Sequence, residues 1–327
     1  MSTNKLLLRK TGRAAVAQYA AVGNGEMHGV DKKLAVRAGP GPRRRKYGRE
    51  GLTGFLFTLP AMLGTCVLFL VPFVLNIFRS FFTADGAFAG LGNYAALLGN
   101  KVFRLAAWNT VKFILVAVPL IMLFSLFVAL LLNRKLKGSS FFRAVFVFPL
   151  VLPVASVILF FDILFTETGV MNHVLSFFHI PVVDWLNSPA SFTVLVILYI
   201  WKNCGYDIIL FLAAFNSTPR EYYEVFRLES TNVWERLRYV TMPLIVPHLF
   251  FIFVISVTNS LKAFREAYIL CGDYPNNSIY MLQHYINNNF QTLNYSRLSV
   301  ATILIFLFVF LLVYLAFWLK RKAWYKE

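Results

Sequence analysis

Six stretches of this chain run for about twenty residues with almost no charge, which is the length a helix needs to cross about 30 Å of hydrocarbon. They cover residues 51–78, 113–133, 144–161 (continuing past Asp162 as far as Phe165), 191–215, 242–261 and 298–319. The fourth is interrupted by Lys202 and Asp207. Pro60, Pro72, Pro119, Pro149, Pro153 and Pro247 fall inside these stretches. Lipid-embedded helices tolerate such prolines because packed neighbours satisfy the freed carbonyls. The pattern predicts an all-α polytopic membrane protein with about six transmembrane helices. A basic N-terminal tail over residues 1–50, expected to be disordered, precedes a six-helix transmembrane domain over 51–319. A short basic C-terminus, 320–327, closes the chain.

Composition agrees and narrows the class. The chain is 58% hydrophobic and 14% charged, against about 25% charged in an ordinary globular protein, so a soluble interior is too small to hide its apolar surface. Cys66, Cys204 and Cys271 show no paired spacing, and the five histidines fall in no H-E-x-x-H pattern. A disulfide scaffold, a cysteine-based zinc site and a metalloprotease are therefore excluded, and no metal or cofactor is expected on this chain. Leu6, Leu7 and Leu8 make too short an apolar run for a signal peptide.

The distribution of charge sets an expected orientation. Of 32 Lys and Arg residues, 24 lie in the tail, in the connection 134–143, in the connection after the fourth stretch and at the C-terminus. Residues 166–190 hold none and residues 262–297 hold three. Basic residues collect on the cytoplasmic side, so both termini are expected there, in agreement with an even number of spans. The net charge of +17 is then a topological signal along membrane edges, and nucleic acid is not an expected partner.

Residues 216–243 form a connection long enough to have structure of their own. Thr218, Pro219 and Glu221 fit an N-cap, a first-turn proline and a capping-box carboxylate. A second start follows at Asn232 with Glu235 three residues on, so two short helices are expected with a bend near Ser230, Thr231 and Asn232. Pro219-Arg-Glu-Tyr-Tyr-Glu-Val-Phe-Arg-Leu-Glu-Ser-Thr231, followed by Trp234 and Met242-Pro243, resembles the EAA loop of binding-protein-dependent ABC importer permeases, P-x-E-L-Y-E-A-A-x-I-D-G-A. Glu224 falls on the motif glutamate and Glu229 on its aspartate. Val225 and Phe226 replace the alanines, and Ser230 replaces the glycine. Since glycine supplies positive φ without steric cost, Asn232 is the expected bearer of a left-handed conformation in its place.

Further segments resemble the sugar-permease branch of that family: Phe141-Phe-Arg-Ala-Val-Phe-Val-Phe-Pro-Leu-Val-Leu-Pro153 with Gly169-Val-Met-Asn172, Trp201-Lys-Asn-Cys-Gly205, Ala267-Tyr-Ile-Leu-Cys-Gly-Asp-Tyr-Pro275 and Tyr285-Ile-Asn-Asn-Asn-Phe290. The resemblance covers about residues 43–320. It implies a bacterial inner-membrane subunit of type I importer fold, working as a heterodimer with a second permease. Cytoplasmic ATPase subunits and an extracytoplasmic solute-binding protein would complete the system, importing a sugar or oligosaccharide by alternating access. ATP and magnesium are expected on the separate ATPase, since no G-x-x-x-x-G-K-S/T phosphate loop occurs here; the chain is not expected to be an enzyme. The coupling contact is expected from Glu221, Glu224, Phe226, Arg227, Leu228, Glu229 and Ser230, with Phe226 as the apolar anchor.

Ionisable and amide groups inside a membrane are expensive and face a cavity or a partner. Tyr199, Asn203 and Asp207 recur at helical spacing in the fourth stretch, and Ser256 and Asn259 lie in the fifth. They are the expected lining of a substrate path; pairing of Lys202 and Asp207 with a neighbouring helix is the structural alternative, and Ser256 and Asn259 equally suit interhelical hydrogen bonding. Trp185, Tyr274 and Tyr280 are read as interfacial belt residues. A secondary transporter, driven by an ion gradient through Asp162 or Asp207, and a permease for a non-sugar solute are the competing functions.

Overall fold

A computed structural model describes residues 47–133, 138–230, 232–292 and 295–324. Most of the N-terminal tail, residues 134–137, Thr231, residues 293–294 and residues 325–327 lie outside the described residues, as do the side chains of 47–50, Arg220, Glu229 and 319–324. By its internal contacts the chain divides into residues 1–65 and 66–327.

In the first unit, α1 (Tyr47–Thr65) is uncharged from Gly51 onward and exposes Leu52, Phe55, Leu56 and Phe57. A helix without a charged face belongs in a large interior or in lipid.

The second unit starts with one π-helical turn, Cys66–Leu70, followed by α2 (Val71–Ser80) and the short α3 (Gly92–Gly99). Its centre is the pair α4 (Lys101–Leu132) and α8 (Ser191–Ser217). Phe113, Ala117 and Ile121 of α4 meet Leu195, Tyr199, Ile208 and Phe211 of α8 in a buried core that also takes in Ile252. Ser125 Oγ donates to the Cys204 carbonyl across this pair at 3.2 Å. α11 (Met242–Ser260) packs against both, and α14 (Tyr295–Trp324) lies against α2, where the Phe73 and Phe306 rings meet at 4.8 Å.

Six helices among the described residues are long and apolar enough to cross a membrane, the number expected, but three differ in extent. The second starts at Lys101, where the Asn100 side chain caps the backbone N–H of Val102 and Phe103; Lys101, Arg104 and Lys112 hide that first third from a hydropathy pattern. The third is not one helix. It breaks between α5 (Ser139–Val151) and α6 (Val154–Phe165), with Leu152 and Pro153 extended at ψ 140° and 137°. Proline removes an N–H and pushes the preceding residue out of the helical region, and here Pro153 does both. The spanning candidate becomes 154–177, formed by α6 with α7 (Val170–Phe177). The fifth grows at both ends to 233–271, taking in α12 (Phe264–Cys271), which lies beyond the apolar run ending at Leu261.

α5 crosses α8 at Gly205, where a Cβ would collide with the Phe146 backbone. The missing side chain is what lets the two backbones approach.

Candidate functional site

Two groups of polar residues stand out: one between the spanning helices, one where the bundle ends at residues 216–243. In the first, Tyr199 is 2% exposed and donates through its OH to the Ser256 carbonyl at 2.9 Å. Ser256 Oγ donates to Asp207 Oδ2 at 2.8 Å, with the Ile252 carbonyl 2.9 Å away. Asp207 is also 2% exposed. Tyr199, Asp207 and Ser256 therefore come together as a buried clasp between α8 and α11, matching the expectation that buried polar groups are hydrogen-bonded. Asn203 and Asn259 do not join it. Asn203 Nδ2 donates to the Tyr199 carbonyl of its own helix at 2.9 Å, and Asn259 Oδ1 accepts from Lys262 Nζ at 3.4 Å; both side chains are half-buried.

For Lys202 the structural alternative, pairing with a neighbouring helix, is the one observed, although the sequence pattern named no partner. In the structure it forms a buried ion pair with Glu266 of α12, the sole ion pair among the described residues, and Glu266 Oε2 has no partner. Ser256, Ser260, Ala263 and Ala267 are all buried at spacings of four, three and four. That small-residue stripe was the readable sign that the helix continues past Leu261 and carries Glu266 inward.

Beyond α12 the connection to α13 (Leu282–Gln291) is tied down by other helices. Asn109 Nδ2 donates to the Asn277 and Tyr280 carbonyls at 2.6 and 3.0 Å, and Thr110 Oγ1 accepts from Leu282 N–H at 2.9 Å. Ser191 and Ser278 share a hydrogen bond of 2.9 Å. Tyr280, expected in an interfacial belt, is instead buried, its OH accepting from Asn288 Nδ2 at 3.2 Å; burial pushes the phenol pKa of both Tyr280 and Tyr285 up, which keeps them protonated. His284 is fully buried against the Phe264 ring at 4.6 Å. Burial lowers its pKa to about 4, with the charge of Asp273 opposing, so the imidazole is neutral; its Nδ1 accepts from Met281 N–H at 3.1 Å. A second tie is Asn172, which donates to the Glu167 and Val183 carbonyls and accepts from Val183 N–H and Trp185 Nε1. Tyr274 stays exposed.

At the other end are the two expected short helices, α9 (Arg220–Glu229) and α10 (Val233–Arg236). Their caps differ from the expectation. α9 starts after Pro219 with no side-chain cap, and the Thr218 hydroxyl donates back to the Ala214 carbonyl at 3.3 Å. α10 is capped by Asn232, which accepts from Trp234 N–H at 2.9 Å. Ser230 Oγ donates to Glu235 Oε2 at 2.6 Å and accepts from Asn232 N–H at 3.1 Å. Neither described residue of the bend is left-handed: Ser230 and Asn232 are extended, with φ −153° and −70°. Serine therefore replaces the motif glycine without strain and adds a hydrogen bond.

Glu221, Glu224, Arg227 and Leu228 are exposed on α9, while Phe226 is half-buried. On α9 and α10 the apolar side chain standing freest is Leu228, 88% exposed, followed by Trp234 at 78%. A cavity of about 1040 Å³ opens beside them, between α9, α10 and the adjoining ends of α4, α5 and α8; Tyr223, Glu224, Arg227 and Trp234 help line it.

Residues 121–325 match the family of the binding-protein-dependent transport system inner membrane component. The chain is 31% identical over 282 residues to the lactose transport system permease protein LacF of Rhizobium radiobacter, covering 83% of this chain and 95% of that one. It is 29% identical over 276 residues to the trehalose/maltose transport system permease protein MalF of Thermococcus litoralis, covering 82% and 94%. In fold it is similar to a chain of a bacterial ABC transporter involved in the import of alginate. The TM-score there is 0.73 at 20% identity, over 85% of this chain and 98% of that one.

Proposed function

Because this chain belongs to the binding-protein-dependent transport inner-membrane family, we propose that it is the permease subunit of an ATP-driven importer for an oligosaccharide. The observation that carries this reading is the full-length similarity to permeases named for lactose and for trehalose and maltose. Both termini and the α9–α10 end would face the cytoplasm, as the distribution of basic residues favours. There α9 and α10 would dock on a separate ATPase through Leu228 and Trp234, with Glu221, Glu224 and Arg227 around them. A second permease would complete the pathway, and a solute-binding protein would deliver the sugar to the opposite end. Closure of the ATPase dimer on ATP would shift the bundle between two access states by binding one of them better.

Within the membrane we assign different roles to the polar residues. Tyr199, Asp207 and Ser256 spend their hydrogen bonds on one another and hold α8 to α11. Asn203 and Asn259 keep accessible amides, which suit sugar hydroxyls. Affinity purification of the full chain from its native membrane tests the proposal: a separate ATPase should co-purify, and its hydrolysis should rise with a sugar-loaded binding protein. Purification without an ATPase, with uptake driven by an ion gradient alone, would overturn it.

A further inference from the structure

Arg143, Arg227 and Arg236 and a single acidic residue, Glu224, are among the residues lining the cavity at the α9–α10 end. Among the described residues none of these arginines is ion-paired, and Arg143 reaches only the Leu132 carbonyl, at 3.5 Å. The cavity thus carries an excess of fixed positive charge. Its opposite wall is apolar. Phe127 and Leu131 of α4 line it, and both are also exposed, in register with exposed Leu123 one turn further along. These three, at four-residue spacing, form a continuous apolar stripe on a membrane-spanning helix, running from mid-span into the arginine cluster.

The matching ligand is amphiphilic and anionic. A guanidinium fork matches phosphate oxygens in a way a point charge does not, and basic pockets between helices at a membrane edge are suited to anionic headgroups. Pockets of about 300–1,000 Å³ hold drug-sized ligands, so a headgroup fits within about 1040 Å³. We propose that this cavity seats the phosphate of an anionic phospholipid, with an acyl chain lying along Leu123, Phe127 and Leu131. Glu224 and Trp234 share the cavity wall, so the lipid would brace α9 and α10 from behind. The inference needs the membrane setting but not the sugar reading.

Native mass spectrometry of the full chain tests it, using micelles supplied with phosphatidylglycerol, phosphatidylcholine or glycerol 3-phosphate. Phosphatidylglycerol should be retained over phosphatidylcholine. Arg143→Gln and Arg236→Gln should each lower that retention about fivefold, while Arg265→Gln, an exposed arginine on α12, should leave it intact. Equal retention of the two lipids would overturn the proposal, as would a preference untouched by both variants. Glycerol 3-phosphate held as well as the lipid would reassign the cavity to soluble phosphate esters and also overturn it. If a variant does not fold, the three ligands on the parent chain decide.

Discussion

The α8–α11 interface and the α9–α10 end solve opposite problems. Between α8 and α11, each polar group of the Tyr199–Ser256–Asp207 clasp is answered from within this chain, and the contacts are buried. At α9 and α10 Leu228 and Trp234 face outward, and the basic side chains form no ion pair among the described residues. Buried polar groups left unmatched destabilise a fold, whereas exposed apolar and charged groups are tolerable where something else covers them. The first region is thus built for the integrity of the subunit, the second for what the subunit meets.

If that division is right, substitutions in the two regions should separate stability from coupling. The largest effect is expected from Gly205→Val. Its side chain would meet the Phe146 backbone, which cannot move as a side-chain tip can, so the loss should exceed the roughly 4–5 kcal/mol that few single substitutions reach. The readout is accumulation in the membrane, and a normal yield would show that α5 and α8 are not locked there. Next comes Lys202→Met, which strands the Glu266 carboxylate; removing one partner of a buried pair costs about 3–5 kcal/mol. Thermal unfolding in detergent should show that loss, and the double variant Lys202→Met with Glu266→Leu should recover most of it.

Leu228→Ala and Trp234→Ala should behave in the reverse manner. Thermal stability should be unchanged, while ATPase attachment weakens by about 2 kcal/mol, as for a truncated interface anchor. Glu221→Ala should do far less. Phe226→Ala, on a half-buried side chain, should lower stability as well as coupling, and equal coupling losses for Phe226 and Glu221 would erase the distinction between anchor and rim. The smallest effect is one of pH. Burial holds His284 at about 4, below the ~6.5 of an unfolded imidazole, so the unfolded chain binds its proton first. Stability should be full above pH 6.5, fall as the pH drops toward 4 and level off below. His284→Gln should flatten that slope in a pH series of unfolding midpoints.

Much of this architecture was readable from residue patterns, because lipid imposes a length rule that apolar runs reveal directly. The count of six and the two short helices at 216–243 needed only hydropathy, prolines and cap residues. What escaped were features set by contact between distant segments. The break at Pro153 looked like other tolerated prolines, and nothing local separates it from Pro119, which α4 absorbs. The capping of α9 went wrong because Thr218 had a second acceptor, the Ala214 carbonyl, within its own preceding helix. The Lys202–Glu266 pair was hidden by charges that ended the apolar run at Leu261. Of the expected membrane residues, the structure joins Tyr199, Asp207 and Ser256 and leaves Asn203 and Asn259 apart. Helical spacing alone cannot make that separation, since it gives a face and not the helix opposite.

The ties from Asn109 and Thr110 to residues 277–282 also set a clock on the birth of the molecule. Their partners lie 168 to 172 residues apart in sequence. At synthesis rates of about 5–20 residues per second, roughly ten to thirty seconds pass between the emergence of Asn109 and that of its acceptors. During that interval a growing chain already inserted in the bilayer carries an amide at the rim of α4 with its eventual acceptors still unmade. Water or lipid headgroups must serve in their place, and the far rim of the bundle therefore closes late, with only α14 still to pack against α2.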